Sequence, residues 1–503
     1  MNSNDTVFTE QLLPCGKTIP NRLVKVAMYE HLSSILGGPP NDFHYELYSA
    51  WSKHDWGMIM TGNVQVSKQH LTLGRDMVVP KVLTNQTIQP FQQLAQVIHG
   101  DQHSHSLAIM QLSHAGRQSS NILGGRLPFV SPLGPSAVRF GHSKRNEGVI
   151  SNIFHRLLFQ TPKAMSSADI DNVVSEFVRG ASLALQSGFD GVQLHVAHGF
   201  NAIREVVPRD FVLGIKFNTS DYSLFEESEA KVAQEERALT HLRQVASWST
   251  VDFIEISGGD YENPGLRPPQ VYGFSYDHSV LHIIEFMLSS SSATSAKNPR
   301  QAFFAHFSSK LMKELSSVTS SDQCAPLILL TGGLRSPAHL YTALRNDHAH
   351  LLGIGRASVL CPNLPTVLKR RRAAEADLSS DVTPFKPEPD LRFWPLARKP
   401  WRCIRRHFPK VKLIGAGVGM AWYVVMIRRL AKEHIRRVDD QNGKEFEEEC
   451  FEPDYSIGGL GAITKMWVWI DAPELQQTKA IYVLILGLVW YLYLGSSMLF
   501  DSY

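Results

Sequence analysis

Polar side chains gather where apolar runs of this chain end. Their types fit hydrogen bonding to a carbonyl or phenolate oxygen beside a phosphate-bearing ligand. The run 191–196 contains His195 and leads into His198, Gly199 and Phe200. Imidazoles at i and i+3 can ligate a metal, but no third ligand of suitable spacing stands nearby, and the pair alone is a weak zinc signal. Neutral imidazoles can instead donate hydrogen bonds to an oxygen that gains charge during a reaction. Run 107–112 carries Gln111, run 57–66 carries Thr61, Gly62 and Asn63, and run 211–217 carries Lys216. Runs 327–330 and 351–354 lead into Gly332-Gly333 and Gly355-Arg356. Such turns offer backbone N–H groups to a phosphate, and Arg356 can add a charge-assisted contact. The plainer reading is that these glycines make tight turns. His99, His103 and His105 precede a strand rather than follow one, so they are expected to face solvent and not the site.

These residues need a frame. The apolar runs are 23–28, 57–66, 107–112, 191–196, 211–217, 251–256, 327–330 and 351–354. Near-continuous apolar runs fit parallel strands buried on both faces. Segments between them, such as 170–185, carry helical periodicity. Alternating β and α units predict an α/β fold, a (β/α)8 TIM barrel, with an open doubly wound sheet as the alternative. In either architecture the chemistry sits at the C-terminal ends of the strands.

The chain has 503 residues, 43% hydrophobic, with 50 basic and 47 acidic residues and a net charge of +3. That composition excludes a wholly disordered chain, and the small net charge gives no nucleic-acid signature. The 5 cysteines form no C-x-x-C pair, which argues against a zinc ribbon or a disulfide framework. The barrel is expected over 8–365, followed by a basic, proline-rich linker over 366–410. An apolar amphipathic or membrane segment is expected over 411–430 and a polar connection over 431–480. Residues 481–500 carry no charge and would form a transmembrane helix of about 30 Å. With no N-terminal signal peptide in view, these features imply a membrane-bound, tail-anchored protein with its barrel in the cytosol.

The chain resembles an Old Yellow Enzyme, of the NADH:flavin oxidoreductase family of FMN-binding (β/α)8 barrels. The matching pieces include Asn21-Arg22-Leu23-Val24-Lys25-Val26-Ala27-Met28, Gln111-Leu112-Ser113-His114-Ala115-Gly116-Arg117, and His195-Val196-Ala197-His198-Gly199-Phe200. Gly214-Ile215-Lys216, Leu330-Thr331-Gly332-Gly333-Leu334 and Gly353-Ile354-Gly355-Arg356 follow in the family's order. The resemblance implies that Ala27 and Met28 pack against the isoalloxazine, with Tyr29 near its C4 and N5 edge. Gln111 would bond the pyrimidine edge, Lys216 would stand near N1, and Asn63 joins the cofactor-binding set. Gly332, Gly333, Gly355 and Arg356 would hold the FMN phosphate. His195 and His198 would be the catalytic pair that holds a substrate carbonyl, with no metal. The implied activity is an FMN-dependent, NADH- or NADPH-using ene-reductase acting on the activated alkene of an apolar enone, such as one from secondary metabolism.

Three departures from the family pattern stand out. Phe200 replaces a tyrosine that often donates a proton. Tyr29 replaces a small threonine or cysteine. The fourth βα unit looks truncated, because only twelve residues, 199–210, separate His198 from the fifth run. That stretch is expected to be too short for a full crossover. The alternative function is therefore a catalytically impaired or non-catalytic barrel that binds a ligand or partner.

Overall fold

A computed structural model describes residues 6–100, 106–138, 158–195, 200–218, 228–257, 299–318, 324–334, 336–373, 412–439 and 451–469. The transmembrane candidate 481–500, the catalytic candidate His198 and most of the expected linker lie outside the described residues.

Each of the eight apolar runs forms a strand. They are β1 (Leu23–Lys25), β2 (Met58–Gln65), β3 (Leu107–Ser113), β4 (Gly191–Leu194), β5 (Val212–Asn218), β6 (Phe253–Ser257), β7 (Leu327–Thr331) and β8 (Leu351–Ile354). Each pairs in parallel with its neighbours in chain order, and β8 pairs with β1, so the barrel closes. The ninth strand of this sheet, Met77–Val78, hangs from the end of β2. The open-sheet alternative is excluded by closure.

Side-chain alternation along the strands separates two cores. Val24, Val26, Met58, Met60, Ile109, Val212, Phe253, Leu329 and Leu351 form one cluster, which fills the barrel interior. The larger cluster lies between the strands and the surrounding helices. Gly214 shows how tightly the interior is filled. A Cβ there would lie 2.1 Å from Cζ of Phe253, so only hydrogen fits beside that ring.

The helices are α1 (Asp42–Ser52), α2 (Asn85–His99), α3 (Ser167–Gln186), α4 (Phe200–Arg204), α5 (Ser228–Ser247), α6 (Pro299–Val318), α7 (Pro337–Arg345), α8 (Arg356–Leu360) and α9 (Leu364–Ala373). Asn41, Thr84, Ser166 and Ser336 cap α1, α2, α3 and α7 by accepting from a backbone N–H of the first turn. Helix α9 crosses the expected linker boundary at 366. Leu364 and Leu368 are buried, and Lys369 reaches Asp55 at 2.8 Å.

The β4–β5 link is short. Its described helix, α4, has 5 residues. Yet β4 and β5 pair in parallel, with Val212 opposite Gly191. The link runs from 195 to 211, and a parallel crossover needs only about a dozen residues. Arg204 closes it by donating to the carbonyls of Phe211 and Thr250, each at 2.8 Å, and to Oδ2 of Asp252 at 3.2 Å. Phe200 is buried, with its ring 6.0 Å from that of Trp248.

Beyond the barrel, α10 (Lys412–Asp439) packs against α1 and against α11 (Gly459–Trp467). Ala421, Trp422, Val424, Met426, Ile427 and Ala431 are buried there. The membrane alternative for 411–430 is thereby corrected, because these apolar side chains meet protein. Among the described residues, no helix is long and apolar enough to cross a membrane. Arg428 fastens the pair. It donates to the carbonyls of Lys465 and Met466, both at 3.0 Å, and to that of His31 at 3.2 Å. Its guanidinium also lies 4.2 Å from the Trp469 ring centre.

Candidate active site

The C-terminal half of the barrel interior is polar. Four side chains from consecutive strands join there. Gln111 Nε2 donates to Gln193 Oε1 at 2.6 Å, and Gln193 Nε2 donates to Glu255 Oε2 at 2.7 Å. Lys216 Nζ lies 3.0 Å from the other carboxylate oxygen, Oε1. Strand register explains the meeting, since Gln111 pairs with Gln193 and Lys216 with Glu255. Gln111, Gln193 and Glu255 are buried, so this connected chain satisfies polar groups that water does not reach. Thr61 supports the chain from β2 by accepting from the backbone N–H of Gln111 at 3.0 Å. Asn63, half-buried, stands opposite Gln111 in the register.

His195 follows β4 at the barrel mouth. Its side chain meets solvent there. The surrounding protein and the Lys216 ammonium pull its pKa down to about 4, against an opposing pull from Glu255. Solvent at the mouth moderates the first of these causes. A neutral imidazole results near pH 7, suited to donating a hydrogen bond without carrying a charge.

Where the chain leaves β1, Ala27, Met28 and Tyr29 are half-buried. Their path is fixed from behind by a buried polar cluster. Glu30 accepts from the Tyr48 hydroxyl and, at 3.1 Å, from the Gly62 N–H. Lys25 donates to the Met60 carbonyl at 2.9 Å and lies 4.1 Å from the Trp51 ring centre. Burial lowers the Lys25 pKa to about 8 and raises that of Glu30. A Cβ at Gly62 would sit 2.7 Å from the Met28 carbonyl oxygen, so glycine lets β2 approach this turn. Tyr29 turns its hydroxyl to His31 Nδ1, 2.8 Å away.

The β7 and β8 turns lie side by side. Gly332 and Gly333 have φ of 118° and 74°, which L side chains rarely adopt. The Thr331 hydroxyl is buried without a hydrogen-bond partner. A Cβ at Gly353 would lie 2.2 Å from that oxygen, so glycine is what lets the Thr331 hydroxyl pack against β8. Gly355 starts α8, and Arg356 is exposed, 5.8 Å from the Tyr423 ring centre on α10. An orphaned hydroxyl, two left-handed glycines and an exposed guanidinium fit a phosphate. Together with Gln111 and Lys216 in the interior, the set fits FMN.

The structure thus brings Gln111, Lys216 and His195 to one mouth and places the glycine turns on adjacent strands. Sequence reasoning missed Gln193 and Glu255, which link Gln111 to Lys216. Their signal was present, as each is a lone polar residue at an inward position of an apolar strand. Lys25, Glu30 and Tyr48 were missed for the opposite reason, because they face outward and act through the backbone.

Known proteins give the same frame. Residues 15–375 match the NADH:flavin oxidoreductase / NADH oxidase family. The chain is 31% identical to the NADH-dependent flavin oxidoreductase iliE of Neonectria sp. (strain DH2), over 75% of this chain but only 47% of that protein. It is 28% identical to the NADH-dependent flavin oxidoreductase iccE of Talaromyces variabilis, over 84% of this chain and 97% of the relative. A solved 2-naphthoyl-CoA reductase complex shares the fold with a TM-score of 0.52 at 15% identity, covering 74% of this chain and 53% of that one. The chain belongs to the NADH:flavin oxidoreductase / NADH oxidase family.

Proposed function

We propose that this oxidoreductase uses FMN and NAD(P)H to reduce the activated alkene of an apolar enone. The observation that carries the reading is the Gln111–Gln193–Glu255–Lys216 layer, with His195 two residues beyond Gln193 at the barrel mouth. FMN bound there would supply the hydride. Gln111 and Lys216 would hold its pyrimidine side, and the turns at Gly332, Gly333, Gly355 and Arg356 would hold its phosphate. His195 would donate to the substrate carbonyl and stabilise the charge that develops on that oxygen. The protein supplies orientation and electrostatics rather than the reducing electrons.

The test is product analysis. The purified full-length protein, loaded with FMN and given NADH or NADPH, should convert a panel of enones to saturated ketones. Reductant consumption by oxygen alone, with every enone recovered unchanged, would overturn the reading. A second reading, a barrel that binds a ligand without turning it over, is favoured by the short β4–β5 link and by Phe200, whose ring packs on Trp248. The charge-free run 481–500 supports a further part of the proposal, a membrane-spanning segment.

A further inference from the structure

We propose that Glu255 and Gln193 are positioning residues that set the reduction potential of the bound flavin by acting through Lys216 and Gln111. The inference rests on FMN binding to this barrel and not on the identity of the oxidising substrate.

The geometry gives each residue a separate effect. Glu255 is fully buried, and its two oxygens are engaged in different directions, Oε1 by Lys216 at 3.0 Å and Oε2 by Gln193 at 2.7 Å. A carboxylate only accepts. Gln193 must therefore turn its NH2 toward Glu255 and its carbonyl toward β3. Gln111 must in turn give one of its amide N–H groups to Gln193. One anion thus fixes, through two hydrogen bonds, the orientation of an amide three strands away, at the position expected to meet the flavin pyrimidine.

The same anion offsets the Lys216 charge. Reduction to the anionic flavin adds negative charge beside this layer. An unopposed ammonium would favour that state, whereas an ammonium paired with a carboxylate at 3.0 Å favours it less. Glu255 therefore holds the potential below the value that Lys216 alone would set.

Dye-equilibrated titration of the FMN-loaded full-length protein tests this. Glu255→Gln should raise the two-electron midpoint potential by about 30 mV or more, equal to a tenfold shift in the reduced-to-oxidised ratio. Gln193→Leu keeps the Lys216–Glu255 pair but frees Gln111, so FMN should bind several-fold more weakly with a smaller change in potential. An unchanged or lower potential in Glu255→Gln would overturn the proposal, even if that variant were less stable. If Glu255→Gln retains no flavin, Gln193→Glu replaces it. That variant adds a carboxylate to the layer and must lower the potential, and no change would count against the proposal. Failure of the wild-type protein to bind FMN would instead refute the FMN assignment itself.

Discussion

Lys216 on β5 and Glu255 on β6 face each other across 3.0 Å inside the barrel, one step below His195. Lys216 depresses the His195 pKa and Glu255 raises it. Lys216→Met removes the first influence and leaves the second, so the imidazole should titrate above its present value of about 4. NMR of the ring protons in the full-length protein would follow this. An unchanged or lower midpoint would show that the pair does not govern the histidine.

His195→Ala should slow enone reduction by a factor on the order of 10²–10³, the usual cost of losing one donor to a developing oxyanion. Reduction of the flavin by NADH should change far less. Measuring the two half-reactions separately checks the prediction, and equal losses in both would assign His195 to the flavin instead.

The outcome at pH 5 is predicted by two buried histidines. Burial lowers His44 to about 3, and burial followed by His114 and Arg126 lowers His70 to about 2. Their folded values lie below the unfolded value of about 6.5. The unfolded chain therefore binds more protons in this range. The stability they confer is complete above about pH 6.5 and is lost as pH falls toward the folded values. Asp76, raised to about 6 by burial, acts in the opposite sense. His70→Gln, which can still accept from the Leu133 N–H, should give a shallower fall in Tm between pH 6.5 and 4.5. A slope equal to that of the wild type would contradict this.

Much of this frame was legible from residues alone. Each of the eight apolar runs became a barrel strand, because a strand buried on both faces leaves a continuous apolar signature. The glycine turns were legible because left-handed φ favours glycine. The Gln193–Glu255 bridge was not, since it depends on register between strands distant in sequence. Residues 411–430 were misleading because a helix buried against α1 and α11 has the same apolar composition as one that meets lipid. The way the short β4–β5 link is fastened was not legible, because the Arg204 contacts that close it leave no pattern in the sequence.

Gly214→Ala should destabilise the barrel by about 1–3 kcal/mol, the usual cost of an overpacked core. The added methyl would fall on the Phe253 ring. Pairing it with Phe253→Leu should recover part of the loss in a urea melt. Additive losses would show that the clash is relieved elsewhere.

Arg428→Met removes donors from the carbonyls of His31, Lys465 and Met466. The α10–α11 pair should then open more readily, by about 1–3 kcal/mol. Amide exchange should speed up across 419–433 and 459–467 while β3 and β6 stay protected. Uniform acceleration across the chain would show that the clamp supports the whole fold.

The most direct test of the proposed reaction is an anaerobic stopped-flow experiment. The full-length, FMN-loaded protein is reduced with NADH, mixed with 2-cyclohexenone and followed by flavin absorbance. The oxidised flavin band should return without oxygen, with one equivalent of cyclohexanone formed. A flavin that stays reduced through a panel of such enones and reoxidises only when air is admitted would contradict the account.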